Sequence, residues 1–321
     1  MSVKTVGFVL ASILAAGVGF RGLERVESGT ARIANAEASL VPEQKTAAAG
    51  AFSGERAWEH LERMVAMGPR PAGSLAIRQT RAYITRQISA LGLTVQEQPF
   101  TATTPMGSVE MVNLVVRLPG RRQERVLVTG HYDTKYFADR TFVGASDGGS
   151  SAAMLIELVR AMQGVPREFT YDFVWFDGEE AVVDWMGYDH TYGSRYYVQQ
   201  AKAANALSSI RAMVLVDMVG DRDLRIRRDL ASTPWLTDIV WAAAKRLGHG
   251  NVFVDESTQI EDDHMHFMEA GIPSVDIIDL DYPAWHTPAD DLAHVTQNSL
   301  QIVGDVLLAA LPDVENNLKV R

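Results

Sequence analysis

The feature that most constrains this chain is an alternation of short apolar runs and helical stretches across residues 126–311. The runs at 126–129, 171–176, 213–216 and 274–278 have the length and β-branched or aromatic content of buried strands. A shorter one is expected at 252–254. Stretches 150–162, 196–206, 234–247 and 264–270 have helical spacing, and a final helix is expected over 299–311. Upstream, a helix begins at Ser53 and stops at the breaker 68–73, and a second spans 75–91. Strands at 93–100 and 109–118 follow, joined by a turn. The pattern implies a single α/β domain over 53–321, with a mixed, mostly parallel central sheet flanked by helices. In such sheets the site lies beyond the carboxyl ends of the strands.

Those strand ends are where the acids and histidines fall. The run 126–129 ends in Gly130-His131-Tyr132-Asp133, and 171–176 ends in Asp177-Gly178-Glu179-Glu180. Asp217 follows 213–216. Asp276, Asp279 and Asp281 lie in and after 274–278, ahead of Trp285-His286-Thr287, and Asp147 precedes the helix at 150. Each taken alone fits a helix cap, a turn or a solvated loop. Together, on consecutive strands, they crowd carboxylates that repel unless a cation neutralises them. Mixed His, Asp and Glu ligation suits zinc.

Composition narrows the chemistry further. The chain has no cysteine, so thiolate nucleophiles, thiolate zinc sites and disulfides are excluded, and any metal must sit on oxygen and nitrogen. Forty acids against thirty Lys and Arg argue against nucleic acid as a partner. One pattern points elsewhere. Gly144-Ala145-Ser146-Asp147-Gly148 fits the G-x-S-x-G nucleophile elbow, but no strand runs directly into Ser146, as that elbow requires.

The N-terminus is read separately. Lys4 precedes an uncharged apolar run, 6–20, which is short for a membrane span and suits the core of a signal peptide. Residues 1–36 are therefore expected to be a signal peptide or N-terminal anchor, and 37–52 a linker. The protein is expected to be exported, periplasmic or anchored outside the cytoplasm, touching membrane only through that anchor, and to be a monomer.

Six stretches carry a resemblance to a known family. They are 131–137, 142–147, 176–185, 192–195, 260–264 and 285–287, in constant order. With them the chain resembles the M28-type zinc aminopeptidase-like hydrolases, and within these the glutaminyl-peptide cyclotransferases, or glutaminyl cyclases. The resemblance implies one zinc on Asp147, Glu180 and His286, and Glu179 as general acid/base. Asp217 and Asp262 match acids around the substrate and Glu179. Trp185 and Trp285 match the aromatic walls of the pocket, and Tyr282 is the aromatic expected from the last loop. The substrates implied are peptides or proteins with N-terminal Gln, cyclised with release of ammonia. Aminopeptidases of the same fold add a second metal at positions matching His131 and Asp217, and these residues are present too. The chain departs from the animal cyclases at Asp276, where they carry His.

Overall fold

The computed structural model describes residues 50–321. The expected signal peptide or anchor, and most of the expected linker, lie outside them. Among the described residues no helix is long and apolar enough to cross a membrane.

Six strands form the main sheet: β1 Val95–Thr104, β2 Gly107–Leu118, β3 Arg125–His131, β4 Thr170–Phe176, β5 Ile210–Asp217 and β8 Ser274–Ile278. Their order is β1-β2-β4-β3-β5-β8. The pairs β4–β3, β3–β5 and β5–β8 are parallel, and the β1–β2 hairpin joins antiparallel at the β4 edge. The central strands are buried on both faces, and side-chain alternation divides them between two cores. Val126, Val128, Phe173, Trp175, Val214 and Val216 pack into the larger core, with α1 (Gly54–Val65), α3 (Gly149–Met162), α5 (Pro234–Arg246) and α7 (Gln297–Val320). Leu127, Val174, Phe176, Met213 and Leu215 face the smaller one, with α4 (Tyr192–Ala203) and α6 (His264–Glu269). The remaining helix, α2 (Leu75–Ala90), sends Ile77, Ile84 and Ile88 into the larger core.

The expected strands and helices are present, with three informative differences. Helix α7 continues through Pro312 to Val320 instead of ending at 311. The proline removes one N–H from the helical ladder, while Val314 and Leu318 beyond it remain buried and hold the last turns in place. A small parallel pair, β6 (Ile226–Asp229) with β7 (Phe253–Thr258), includes a strand absent from the sequence reading. Its residues 226–229 hold two arginines that pair with acids across the surface, so no apolar run marked it. Helix α4 also starts at Tyr192, four residues before the expected position.

The packed chain begins earlier than the expected boundary at 53. Phe52 is buried, and its ring lies where a Cβ on Gly304 would sit, 2.3 Å away. The linker stretch thus ends inside the core, where an aromatic fills the notch left by a glycine in α7. Phe52→Ala should lower unfolding stability by about 3 kcal/mol, the range for deleting a buried aromatic. Chemical denaturation measures this, and an unchanged midpoint would mean that Phe52 contributes no packing.

Candidate functional site

The carboxyl ends of β3, β4 and β5 converge with the loop after β8. Two groups of side chains could each hold a metal: His131, Asp147 and Asp217, and Asp147, Glu180 and His286. Asp147 belongs to both. Its Oδ1 lies 3.2 Å from His131 Nε2, and its Oδ2 lies 3.4 Å from His286 Nε2. His131 Nε2 is also 2.9 Å from Asp217 Oδ1, and His286 Nε2 is 3.4 Å from Glu180 Oε2. All of these are buried except His286, which is partly exposed.

Local backbone explains how so many polar groups meet. Gly148 has φ +70°, and a Cβ there would lie 2.3 Å from the Asp133 carbonyl and 2.9 Å from the His131 ring. Only glycine lets the loop into α3 approach that closely. Three of the four non-glycine residues with positive φ among the described residues adjoin or belong to the site: Thr191, Met218 and His286. Such strain persists where surrounding structure over-determines it. Two further acids hold the loops that carry Glu179, Glu180 and Asp147. Asp133 accepts the backbone N–H groups of Glu179 and Glu180, both at 3.2 Å. Asp290 accepts those of Ser146 and Asp147, at 2.7 and 3.1 Å.

The electrostatics are those of acids held in a dry pocket. Burial first, then the neighbouring Asp262, Glu180 and Asp263, push Glu179 well above the usual carboxylate range, although His131 pulls the other way. Burial and Asp147 raise Glu180 to about 7. Burial opposes the charge on His286, yet Asp147 and Glu180 raise it to about 9. Asp147 goes the other way: burial disfavours its charge, but the two imidazoles hold it below the ordinary range. Its Oδ2 is buried without a hydrogen-bond partner.

Comparison with known proteins gives this arrangement a context. The model of peptidase family M28 matches residues 113–311, which include every residue of both groups. The chain belongs to peptidase family M28. A solved glutaminyl cyclase from an Acidobacteriales bacterium is 36% identical, with a TM-score of 0.80 over 85% of this chain and 98% of that one. The glutaminyl-peptide cyclotransferase-like protein of Mus musculus is 28% identical over 274 residues, 76% of this chain and 72% of the mouse protein. A solved leucine aminopeptidase precursor from Bacteroides thetaiotaomicron is 25% identical, with a TM-score of 0.75 over 83% of this chain and 98% of that one.

The donor set of this M28 site fits a divalent metal. It offers only oxygen and imidazole nitrogen, it concentrates negative charge, and it leaves an Asp147 oxygen unpartnered. The other expected site residues fall around it unevenly. Glu179 is buried beside His131, with Oε2 3.7 Å from Nδ1. Asp217 touches His131, and Asp262 is buried with an unpartnered Oδ2. Trp285 is 42% exposed and stacks on His286 at 4.4 Å between ring centroids. Trp185 is partly buried in the loop after Glu180. Tyr282 differs from expectation. It is buried in a small apolar cluster, and its hydroxyl donates to Asp290, so it braces the Asp147 loop and is not an open pocket wall. Ser146 is no nucleophile. It is fully buried, and its hydroxyl accepts the Gly220 N–H.

Sequence reasoning missed Asp290 altogether and gave Asp133 no role. Both act through backbone N–H groups, which leave no residue-type signature. The only hint was their nearness to the Trp285-His286-Thr287 and His131-Tyr132 segments.

Glu180 and His286 must both surrender protons to a metal. Affinity should therefore rise with pH through the interval from about 7, for Glu180, to about 9, for His286. Calorimetric titration with Zn2+ in buffers of different ionisation heat reads the released protons. Affinity independent of pH would contradict the protonated apo site, and His286→Ala should lose most of the binding.

Proposed function

We propose that this M28 protein is a zinc-dependent glutaminyl-peptide cyclotransferase, which converts N-terminal Gln of peptides and proteins to pyroglutamate and releases ammonia. The observation that carries the reading is a buried Glu179, with a strongly raised pKa, directly beside the Asp147–Glu180–His286 group. The 36% identity to a glutaminyl cyclase over 85% of the chain supports the same conclusion.

Cyclisation needs the substrate's own α-amine to attack its side-chain amide carbon. The nucleophile and electrophile belong to one residue, so confining that residue supplies most of the proximity advantage. Zinc on Asp147, Glu180 and His286 would, when bound, polarise the amide carbonyl and offset the charge that develops on its oxygen. Glu179 takes a proton from the attacking amine and returns it to the departing nitrogen, which leaves as ammonia. A carboxylate with an ordinary pKa would hold that proton too weakly at neutral pH. Burial and the acids around Glu179 raise its affinity for the proton it takes, while a bound cation would pull the other way and keep the carboxylate free to accept it. Asp217 and Asp262, buried close by, are assigned to holding the substrate amine and the Glu179 side chain. Trp185 and Trp285 are assigned to the pocket walls, where flat rings exclude water from a small aliphatic amide side chain. The apolar run at 6–20 behind Lys4 supports export or anchoring of the enzyme.

A second reading has one specific observation in its favour. His131, Asp147 and Asp217 form a further ligand group, as a two-metal aminopeptidase would need. One experiment separates the two. The purified protein, supplied with zinc, is given Gln-X and Leu-X dipeptides, and ammonia and free amino acids are measured. Ammonia from Gln-X without cleavage is expected, whereas liberated Leu would favour the peptidase. Glu179→Gln should lower kcat by roughly a hundredfold or more while retaining the metal. Full activity in that variant would refute the role given to Glu179.

A further inference from the structure

Trp185 lies in a loop that offers it little support. Val183, Met186 and Tyr188 around it are 48%, 76% and 79% exposed. The loop closes on Asp189, whose carboxylate accepts the N–H groups of Val182, Val183 and Asp184 and the hydroxyl of Tyr192. These contacts fix the backbone of the loop. The ring that meets the indole is His190. The two planes are 14° from parallel, with centroids 4.1 Å apart. Unlike the loop, His190 is buried and tied down. Its Nδ1 lies 3.1 Å from the Thr191 hydroxyl, which is 2.8 Å from His266 Nε2 on α6. Its carbonyl accepts from Arg195 on α4 at 3.2 Å. The next residue, Thr191, donates its backbone N–H to the Glu179 carbonyl at 2.7 Å. The imidazole therefore sits one residue from a direct tether to Glu179, and the indole rests flat upon it.

We propose that His190 is a positioning residue: by stacking on Trp185 it sets the angle and distance of that pocket wall relative to Glu179. This rests on the cyclotransferase reading and on the pocket role given there to Trp185. It concerns a residue that touches neither substrate nor metal. The stack makes binding sensitive to position 190 while leaving proton transfer at Glu179 alone, so a change at His190 is expressed in KM more than in kcat. The groups that face the imidazole are Glu261, 3.8 Å from Nε2 ahead of α6, Arg195 from α4, Asp189 on its own loop, and His266 through Thr191. Burial outweighs the acids among them and holds the ring neutral at pH 7.

The test uses the full-length, zinc-loaded protein. Trp185→Ala and His190→Ala should each raise KM for Gln peptides, His190→Ala by roughly fivefold, the equivalent of one aromatic stack, with kcat nearly unchanged. His190→Phe keeps a flat ring in place and should restore KM, which a purely structural loss at a buried site would not do. Fluorescence supplies a readout independent of turnover, because an imidazolium against an indole face quenches its emission. The emission of wild type minus that of Trp185→Phe should fall in acid, with a midpoint below the usual imidazole value of 6.5, and the fall should vanish in His190→Phe. An unchanged KM in His190→Ala beside a raised KM in Trp185→Ala overturns the proposal and leaves the cyclotransferase reading standing. Acid quenching that persists in His190→Phe overturns it too. An unchanged KM in Trp185→Ala removes the pocket role and the proposal together. A wild type that releases no ammonia from Gln peptides overturns the parent reading, and this proposal falls with it.

Discussion

The structure depends on one electrostatic constraint: several carboxylates are buried around two imidazoles at the ends of parallel strands, with the oxygens of each group within 4.8 Å of one another. Asp147 stands at the centre, shared by two imidazoles and facing Glu180 and Asp217 across them. Carboxylates in a dry pocket cost several kcal/mol each unless they are paired, protonated or bound to a cation. This chain combines several of these compensations. Imidazoles hold Asp147 ionised, backbone N–H groups satisfy Asp133 and Asp290, and burial raises the proton affinity of Glu179 and Glu180. The glycine at 148 and the left-handed backbone at His286 and Met218 follow from the same demand, since ordinary conformations would not bring these groups together.

A second layer of acids extends the constraint inward. Asp262, Asp263 and Asp276 are buried behind Glu179 with unpartnered oxygens, and His264 lies among them, its Nε2 3.1 Å from Asp229 and its Nδ1 3.8 Å from Asp276. Burial and neighbouring carboxylates push all three acids upward, Asp262 to about 7 with Asp217 as the neighbour. Asp262 and Asp263 in turn raise the proton affinity of the buried Glu179. A general base that must hold a proton briefly and give it back is served by such surroundings.

Much of this was legible in the sequence. The strand-to-helix alternation predicted the parallel core, because buried strands such as 213–216 cannot be mistaken for a solvated surface. The acids and histidines at the strand ends were visible for the same reason: Asp217 directly follows an apolar run, and Glu179 and Glu180 come within four residues of another. What stayed hidden acts through backbone or through shape. Asp133 and Asp290 bind N–H groups, Phe52 fills a space defined by a glycine far away in sequence, and β6 sends only Ile226 into the core while its arginines pair with surface acids. Tyr282 was misread because residue type says aromatic but not which way its hydroxyl points. His190 carried no signal at all, since stacking partners are set by tertiary geometry.

The central claim is that one metal sits on Asp147, Glu180 and His286. Anomalous diffraction at the zinc edge, from crystals of the zinc-loaded protein, tests it most directly. The account predicts a single strong peak within bonding distance of those three side chains, with His131 still hydrogen-bonded to Asp217. Two comparable peaks sharing Asp147, or a peak on His131 and Asp217 alone, would contradict it.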